Sequence, residues 1–262
     1  MRISLLGTTY PYRGGISHYT TLLCQELRKK HDIQFLSFSK QYPKWLFPGK
    51  TDKDPSQMKL AAEDVDYCLD SMNPLTWIAT AKNIFRFQPD LFVLPWWVAF
   101  WAPQFITIIS LVKKRTKANV VFICHNAIEH ESSLWKVIVT KTVLGKGDRI
   151  VTHSKQESSR LLNILGSKSN VVTAFHPSYA KLCTEVPAAE SAKQELGLNG
   201  KTLLFFGFVR AYKGLDILLQ AMPKVLAQDK HLTVLVVGEF WKDKQKYFQM
   251  IQKLQIQDSA RL

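Results

Sequence analysis

Apolar positions along the chain keep two rhythms. Short β-branched and aliphatic runs fall at residues 3–6, 33–38, 91–94, 120–124, 149–152 and 170–173, and several are separated by segments long enough for a helix. Between the first two runs, Ile16, Tyr19, Leu22, Leu23 and Leu27 recur at helical spacing, with Arg28, Lys29 and Lys30 at the end where the helix dipole favours cations. This alternation predicts an α/β fold: a mostly parallel sheet with helices on both faces.

From residue 179 to 200 the periodicity weakens and Pro, Ala, Glu, Ser and Gly take over, the composition of a linker carrying one short helix. A second unit then opens with a strand at 202–206, a turn from Gly207 to Gly214, a helix at 215–226, a strand at 232–237, a further glycine at Gly238 and a polar helix at 242–254. The expected organisation is a first domain over 1–180, a linker over 181–200 and a second Rossmann-like unit over 201–262. Two strands are expected in the second sheet, too few for an independently stable domain, so the second domain is expected to be only partly present.

One run complicates the picture. Residues 91–112 hold 22 positions without a charge, long enough to span a membrane. Pro95 and Pro103 divide it, however, and its start reads as a strand after the turn pair Pro89-Asp90, so a buried strand, a tryptophan-rich loop and a buried helix are expected. Trp96, Trp97, Phe100 and Trp101 in that loop suit either core packing or stacking on a sugar or lipid interface.

Charge narrows the partners. The 262 residues include 35 Lys or Arg and 21 Asp or Glu, a formal charge of +14, distributed along the chain with no basic tail. A diffuse surplus suits a polyanionic substrate or an anionic membrane surface; basic and aromatic residues are not interleaved as in RNA-recognition modules. Cys24, Cys68, Cys124 and Cys183 form no C-x-x-C pair and read as buried thiols of a reducing compartment. The first residues lead directly into a strand and a glycine turn, without a signal-peptide pattern, and a cytoplasmic location is expected.

Three segments carry candidate chemistry. In residues 7–16 (GTTYPYRGGI), Gly14 and Gly15 let backbone approach an anion at a helix start; the turn matches neither G-x-G-x-x-G nor a Walker loop, and a plain strand-to-helix turn is the other reading. His125 and Asn126 leave the end of the strand at 120–124, where parallel sheets place ligands; a capping Asn beside a satisfied histidine is the alternative. The nearby Glu129, His130 and Glu131 lack H-E-x-x-H spacing, and no metal is expected. In residues 206–215 (FGFVRAYKGL), Gly207 opens a turn that holds Arg210 and Lys213 three residues apart before a helix, either a diphosphate clamp or a solvated basic turn. A glycine turn in each half raises the prospect of two sheets sharing one ligand.

The segments GTTYPYRGGISHYTTLL, ICHN and FFGFVRAYKGLDILLQAM, in this order, resemble the family 4 glycosyltransferases (glycosyl transferases group 1), retaining enzymes of the GT-B fold. The resemblance implies transfer of a sugar from a nucleotide-diphosphate donor to an acceptor hydroxyl, in glycan biosynthesis, with retention of configuration and without a metal or cofactor. It implies a phosphate-proximal loop at Gly14 and Gly15, a histidine beside the donor sugar at His125, and diphosphate neutralisation by Lys213. Helix amides and a lysine take the place of a metal in stabilising the leaving diphosphate. Two departures accompany it. The family places an arginine directly after the turn glycine, where this chain has Phe208 and brings Arg210 two residues later. The family's paired glutamates seven residues apart are absent, because the sequence stops first; Glu239 matches a position near the nucleotide. The loop at 41–56 lies in the half that binds acceptors in this family, and a glycan or lipid-linked acceptor is expected, with peripheral contact at the inner membrane face. An inactive truncated remnant and a basic membrane- or nucleic-acid-binding protein remain as alternatives at this point.

Overall fold

The computed structural model describes the chain except residues 44, 47–50, 57–59, 128–132, 168, 181–185 and 242–243. It forms two compact units, Met1–Pro177 and Ser178–Leu262. The first contains β1 (Arg2–Leu6), α1 (Gly15–Arg28), β2 (Asp32–Lys40), β3 (Val65–Asp70), α2 (Pro74–Phe87) and β4 (Leu91–Trp96), then α3 (Ala102–Arg115), β5 (Asn119–Cys124), α4 (Leu134–Leu144), β6 (Arg149–Thr152), α5 (Lys155–Leu165) and β7 (Val171–Thr173). Its seven strands run in the order β3-β2-β1-β4-β5-β6-β7, and every neighbouring pair is parallel.

The expected apolar runs all lie on strands of this sheet, but β3 was not anticipated. It is an edge strand, VDYCLD, with only Leu69 buried, so its sequence lacks the continuous apolar run that marks a strand covered on both faces. Side-chain alternation sorts the rest into two layers. Ile3, Leu5, Phe35, Val93 and Ile123 pack with Tyr19 and Cys24 of α1 on one face. Leu6, Leu36, Phe92, Leu94, Val120 and Phe122 pack on the other against α2, α3 and α4, through residues such as Ile84, Phe105, Ile108 and Val143. Each such side chain, fully buried, contributes about 1.5–3 kcal/mol.

The uncharged run at 91–112 resolves into β4, a 3-10 turn at Ala99–Trp101 and α3. Trp96 and Trp101 are core residues, and Trp97 donates its indole N–H to the Tyr42 hydroxyl at 3.0 Å, so this aromatic group serves packing. Among the described residues no helix is long and apolar enough to cross a membrane. Cys24 and Cys124 are buried and Cys68 is partly so; Cys183 lies outside the described residues. Burial raises the Cys124 thiol well above its usual range and pushes Cys68 up to about 11.

The second unit contains α6 (Ala189–Glu195), β8 (Thr202–Phe206), α7 (Leu215–Leu226), β9 (Thr233–Val237), α8 (Gln245–Lys253) and β10 (Ala260–Arg261). Its sheet has three parallel strands, β10-β9-β8, where two were expected. A strand of two residues leaves no periodicity to read. Its Arg261 guanidinium donates to the carbonyls of Leu196 and Gly197 at 2.6 and 2.7 Å, which ties the segment after α6 to the sheet. Helix α8 begins at Gln245 within the expected 242–254 span, whose first two residues lie outside the described set. Leu215, Leu219 and Met222 of α7, Val234 and Val236 of β9, and Tyr247 and Ile251 of α8 make the core.

Candidate functional site

In a parallel sheet all carboxyl ends lie at one edge, and ligands collect there. In the first unit that edge carries the glycine turn after β1, His125 after β5, His153 after β6 and His176 beyond β7.

The turn is drawn tightly onto the sheet. A Cβ on Gly7 would sit 2.7 Å from the Thr20 methyl, so α1 approaches the end of β1 more closely than any side chain allows. Gly14 caps α1 at φ 112° and ψ 166°, a left-handed backbone that favours glycine, with open space where a Cβ would stand. The first turn of α1 has no capping side-chain hydrogen bond from Gly14 and no acidic residue, and Gly14 and Gly15 are exposed, so the positive end of the helix dipole lies at the surface. Residues 52–54 brace the turn: Arg13 N–H donates to the Asp52 carbonyl at 3.0 Å, Asp54 N–H to the Pro11 carbonyl at 2.8 Å, and the Lys53 ammonium lies 3.7 Å from the Tyr12 ring centroid. These residues belong to the proposed acceptor loop at 41–56, of which 44 and 47–50 lie outside the described set.

One turn into α1, Tyr19 meets three imidazoles. Its ring centroid lies 4.9 Å from His125, 5.0 Å from His153 and 5.3 Å from His176, and His153 is 5.1 Å from His125 and 5.0 Å from His176. His125 is fixed by its backbone, whose N–H donates to the Trp96 carbonyl at 2.9 Å. His153 Nδ1 lies 2.9 Å from the Ala174 carbonyl; a carbonyl only accepts, so Nδ1 carries the proton and Nε2 keeps a lone pair. The Nε2 atoms of His125 and His153 are buried without a hydrogen-bond partner among the described residues. Burial, then the neighbouring His153 and His176, lowers His125 to about 3, and burial first of all lowers His153 as well. His125 is therefore neutral near pH 7. Asn126 is exposed and lines, with Trp96, Trp97, Lys136 and Thr140, a cavity of about 10 Å³, room for one water. Glu129, His130 and Glu131 lie outside the described residues, and among those described no group of three ligating side chains could hold a metal.

In the second unit the two loops at the strand ends are stitched together. Gly207 N–H donates to the Val237 carbonyl, Val209 N–H to Glu239 and Trp241 N–H to Val209, at 2.9, 2.9 and 3.2 Å. A Cβ on Gly238 would fall 1.8 Å from the Gly207 carbonyl oxygen, so this seam requires glycine. From it Arg210 rises with its guanidinium carbon 3.8 Å from the Trp241 ring centroid and 5.0 Å from that of Tyr212, while Phe208 meets Trp241 edge-on at 5.5 Å. Lys213 ends a 3-10 turn, exposed, with its ammonium 5.6 Å from the Tyr212 ring centroid. Gly214 then caps α7 at φ 74° without a side-chain cap, although Asp216 in the first turn supplies a competing negative charge.

Each expected residue follows a strand on the carboxyl side of its sheet, Gly14, Gly15, His125 and Asn126 in the first unit and Gly207, Arg210, Lys213 and Glu239 in the second. Sequence reading missed Tyr19 as a cluster member, His153, His176 and Trp241. A signal for the histidines exists: each of β5, β6 and β7 is followed within three residues by a histidine. Trp241 had no comparable mark, because only the seam between the loops brings it to Arg210.

Comparison with known proteins follows the same division. Residues 188–262 match the family profile described as Glycosyl transferases group 1, and all of them lie in the second unit. D-inositol 3-phosphate glycosyltransferase 1 of Catenulispora acidiphila is 31% identical over 100 residues, 37% of this chain and 24% of that protein. The D-inositol 3-phosphate glycosyltransferase of Streptomyces bingchenggensis is 28% identical over 105 residues, 39% of this chain and 23% of that protein. The chain spans about a quarter of the length of the curated relatives it matches. Among solved structures, HepE of Anabaena in complex with UDP and glucose superposes with a TM-score of 0.68 at 14% identity, over 100% of this chain and 68% of that one. Sucrose-phosphate synthase of Thermosynechococcus elongatus gives 0.64 at 15%, over 99% and 69%. At such identities the likeness concerns the fold, which is the GT-B type α/β arrangement of Rossmann-like, parallel-sheet domains.

Proposed function

We propose that this chain is part of a glycosyltransferase that moves a sugar from a nucleotide-diphosphate donor to an acceptor hydroxyl. The observation that carries the reading is the seam of the second unit. Arg210, Lys213 and the uncapped start of α7 converge at the carboxyl edge of a parallel sheet, inside the segment that matches the glycosyltransferase profile. The Anabaena neighbour was solved with UDP and glucose, which makes uridine diphosphate the first donor class to test.

In this reading the bond between the anomeric carbon and the diphosphate oxygen breaks and the electron pair leaves with the diphosphate. Lys213, Arg210 and the α7 amides take up that charge, so the reaction needs no metal or cofactor. The acceptor oxygen bonds to the anomeric carbon on the face the diphosphate leaves, and its proton passes to the departing phosphate, which retains configuration. His125, neutral near pH 7, suits a hydrogen bond to a sugar hydroxyl better than to an anion. Asn126 offers a donor and an acceptor beside it. Gly14 and Gly15 present α1 amides to a phosphate group, and Glu239 lies near the nucleotide. The acceptor is a glycan or a lipid-linked acceptor, met at the cytoplasmic face of a membrane.

Calorimetric titration with UDP tests the clamp. Lys213→Ala is expected to weaken binding by about 1.5–3 kcal/mol, the worth of one charge-assisted hydrogen bond, with and without chelator. Unchanged affinity in the variant would remove Lys213 from the site, and affinity abolished by chelator would overturn the metal-free account.

A further inference from the structure

A neutral imidazole offers one donor and one acceptor, and its neighbours decide which nitrogen is which. His153 Nδ1 lies 2.9 Å from the Ala174 carbonyl, and His176 Nδ1 lies 2.9 Å from the Pro177 carbonyl. A carbonyl cannot donate, so each of these rings, when neutral, carries its proton on Nδ1 and a lone pair on Nε2. Among the described residues no carbonyl fixes the His125 ring in this way; the Trp96 carbonyl holds its backbone N–H instead.

The cluster is therefore rich in acceptors and short of a donor. The His153 ring centroid is 5.1 Å from that of His125 and 5.0 Å from that of His176, and Tyr19 meets His125 at an interplanar angle of 87°. The Nε2 atoms of His125 and His153 are both buried without a hydrogen-bond partner among the described residues. With its proton on Nδ1, His125 would bury a second lone pair in contact with the His153 ring, and both acceptors would lose water without gaining a donor. With its proton on Nε2, it supplies the N–H that the His153 lone pair lacks, in ring contact short of a closed hydrogen bond. We infer that His153 is a positioning residue for His125: its Nε2 lone pair holds the His125 proton on Nε2, which leaves Nδ1 of His125 as an acceptor for a substrate hydroxyl.

The consequence is selection by hydrogen-bond type. A sugar hydroxyl can donate to Nδ1, whereas a carboxylate or phosphate oxygen, an acceptor only, meets a lone pair there. Burial supports the uncharged rings that this needs, since it lowers both His125 and His153. Reception of a sugar hydroxyl rests on the transferase reading; the tautomer of His125 does not.

Long-range proton–nitrogen correlation spectra of the full chain, without donor and at about pH 7.5, above the ordinary histidine range, read the tautomers directly. The expected pattern is Nδ1–H for His153 and His176 and Nε2–H for His125. His125 protonated on Nδ1, or His153 on Nε2, would overturn the inference. Two variants separate positioning from packing. His153→Asn keeps a donor for the Ala174 carbonyl but has no atom at Nε2, and the His125 Nε2–H should exchange with water about tenfold faster, the worth of one hydrogen bond. His153→Gln, which restores an acceptor near the Nε2 position, should bring the rate back. Equal exchange in the unmodified chain and His153→Asn, or no recovery in His153→Gln, would show that burial alone protects the proton and would refute the role of His153. Calorimetry then tests its use: His153→Asn should weaken UDP-glucose binding about tenfold and leave UDP binding unchanged. The expected tautomers in a chain that fails to bind UDP would leave the positioning of His125 standing and remove the transferase reading alone.

Discussion

Removal of the His125 imidazole should change how stability responds to acid. Burial lowers this group to about 3 in the folded chain, against an unfolded value near 6.5. Above pH 6.5 neither state binds the proton, so the folded state loses nothing. Below it, the unfolded chain takes up a proton that the folded chain refuses, and stability falls by about 1.4 kcal/mol per pH unit until the folded value is reached. Between about pH 7 and pH 4.5 this one group costs about 2.5 kcal/mol. Urea unfolding of the unmodified chain and of His125→Phe at the two pH values isolates it, because carboxylates and the other histidines are common to both proteins. The variant should lose about 2.5 kcal/mol less stability across that interval, with an unchanged urea slope. Equal losses in the two proteins would show that His125 is solvated in solution and that the packed imidazole cluster does not form.

Two further outcomes follow from the second unit. Gly238→Ala should separate the two loop ends, since its Cβ has 1.8 Å of space below the Gly207 carbonyl; loss of UDP binding together with lowered thermal stability is expected, and a wild-type melting curve would refute the seam. Trp241→Ala should weaken UDP binding through Arg210, so a double-mutant cycle with Arg210→Ala should show coupling of about 0.5–2 kcal/mol, with additive losses disproving the stack as a positioning device.

The candidate site was legible wherever it rests on local backbone chemistry. Gly14, Gly207, Lys213 and His125 sit at glycine turns or at the ends of apolar runs, and strand ends can be read from the runs themselves. Tyr19, His153, His176 and Trp241 were not found, since their roles arise from proximity between segments far apart in sequence. His153 looks like an ordinary polar residue until parallel pairing of β5, β6 and β7 lines up the three strand ends.

The fold divides in the same way. Hydrophobic periodicity by itself determined the α/β class, the first helix and most strands, because burying one stripe of a helix or both faces of a central strand leaves a mark every few residues. Strand order, the edge strand β3 and the two-residue β10 were decided by tertiary packing. An edge strand need satisfy only part of its surface, and a two-residue strand is held by its ladder and by the reach of Arg261, so neither imposes a period on the sequence. The exposed face of α4 belongs to the same class: its residues look like core until the packing of Val143 and Leu144 shows which side of the helix the sheet has already claimed.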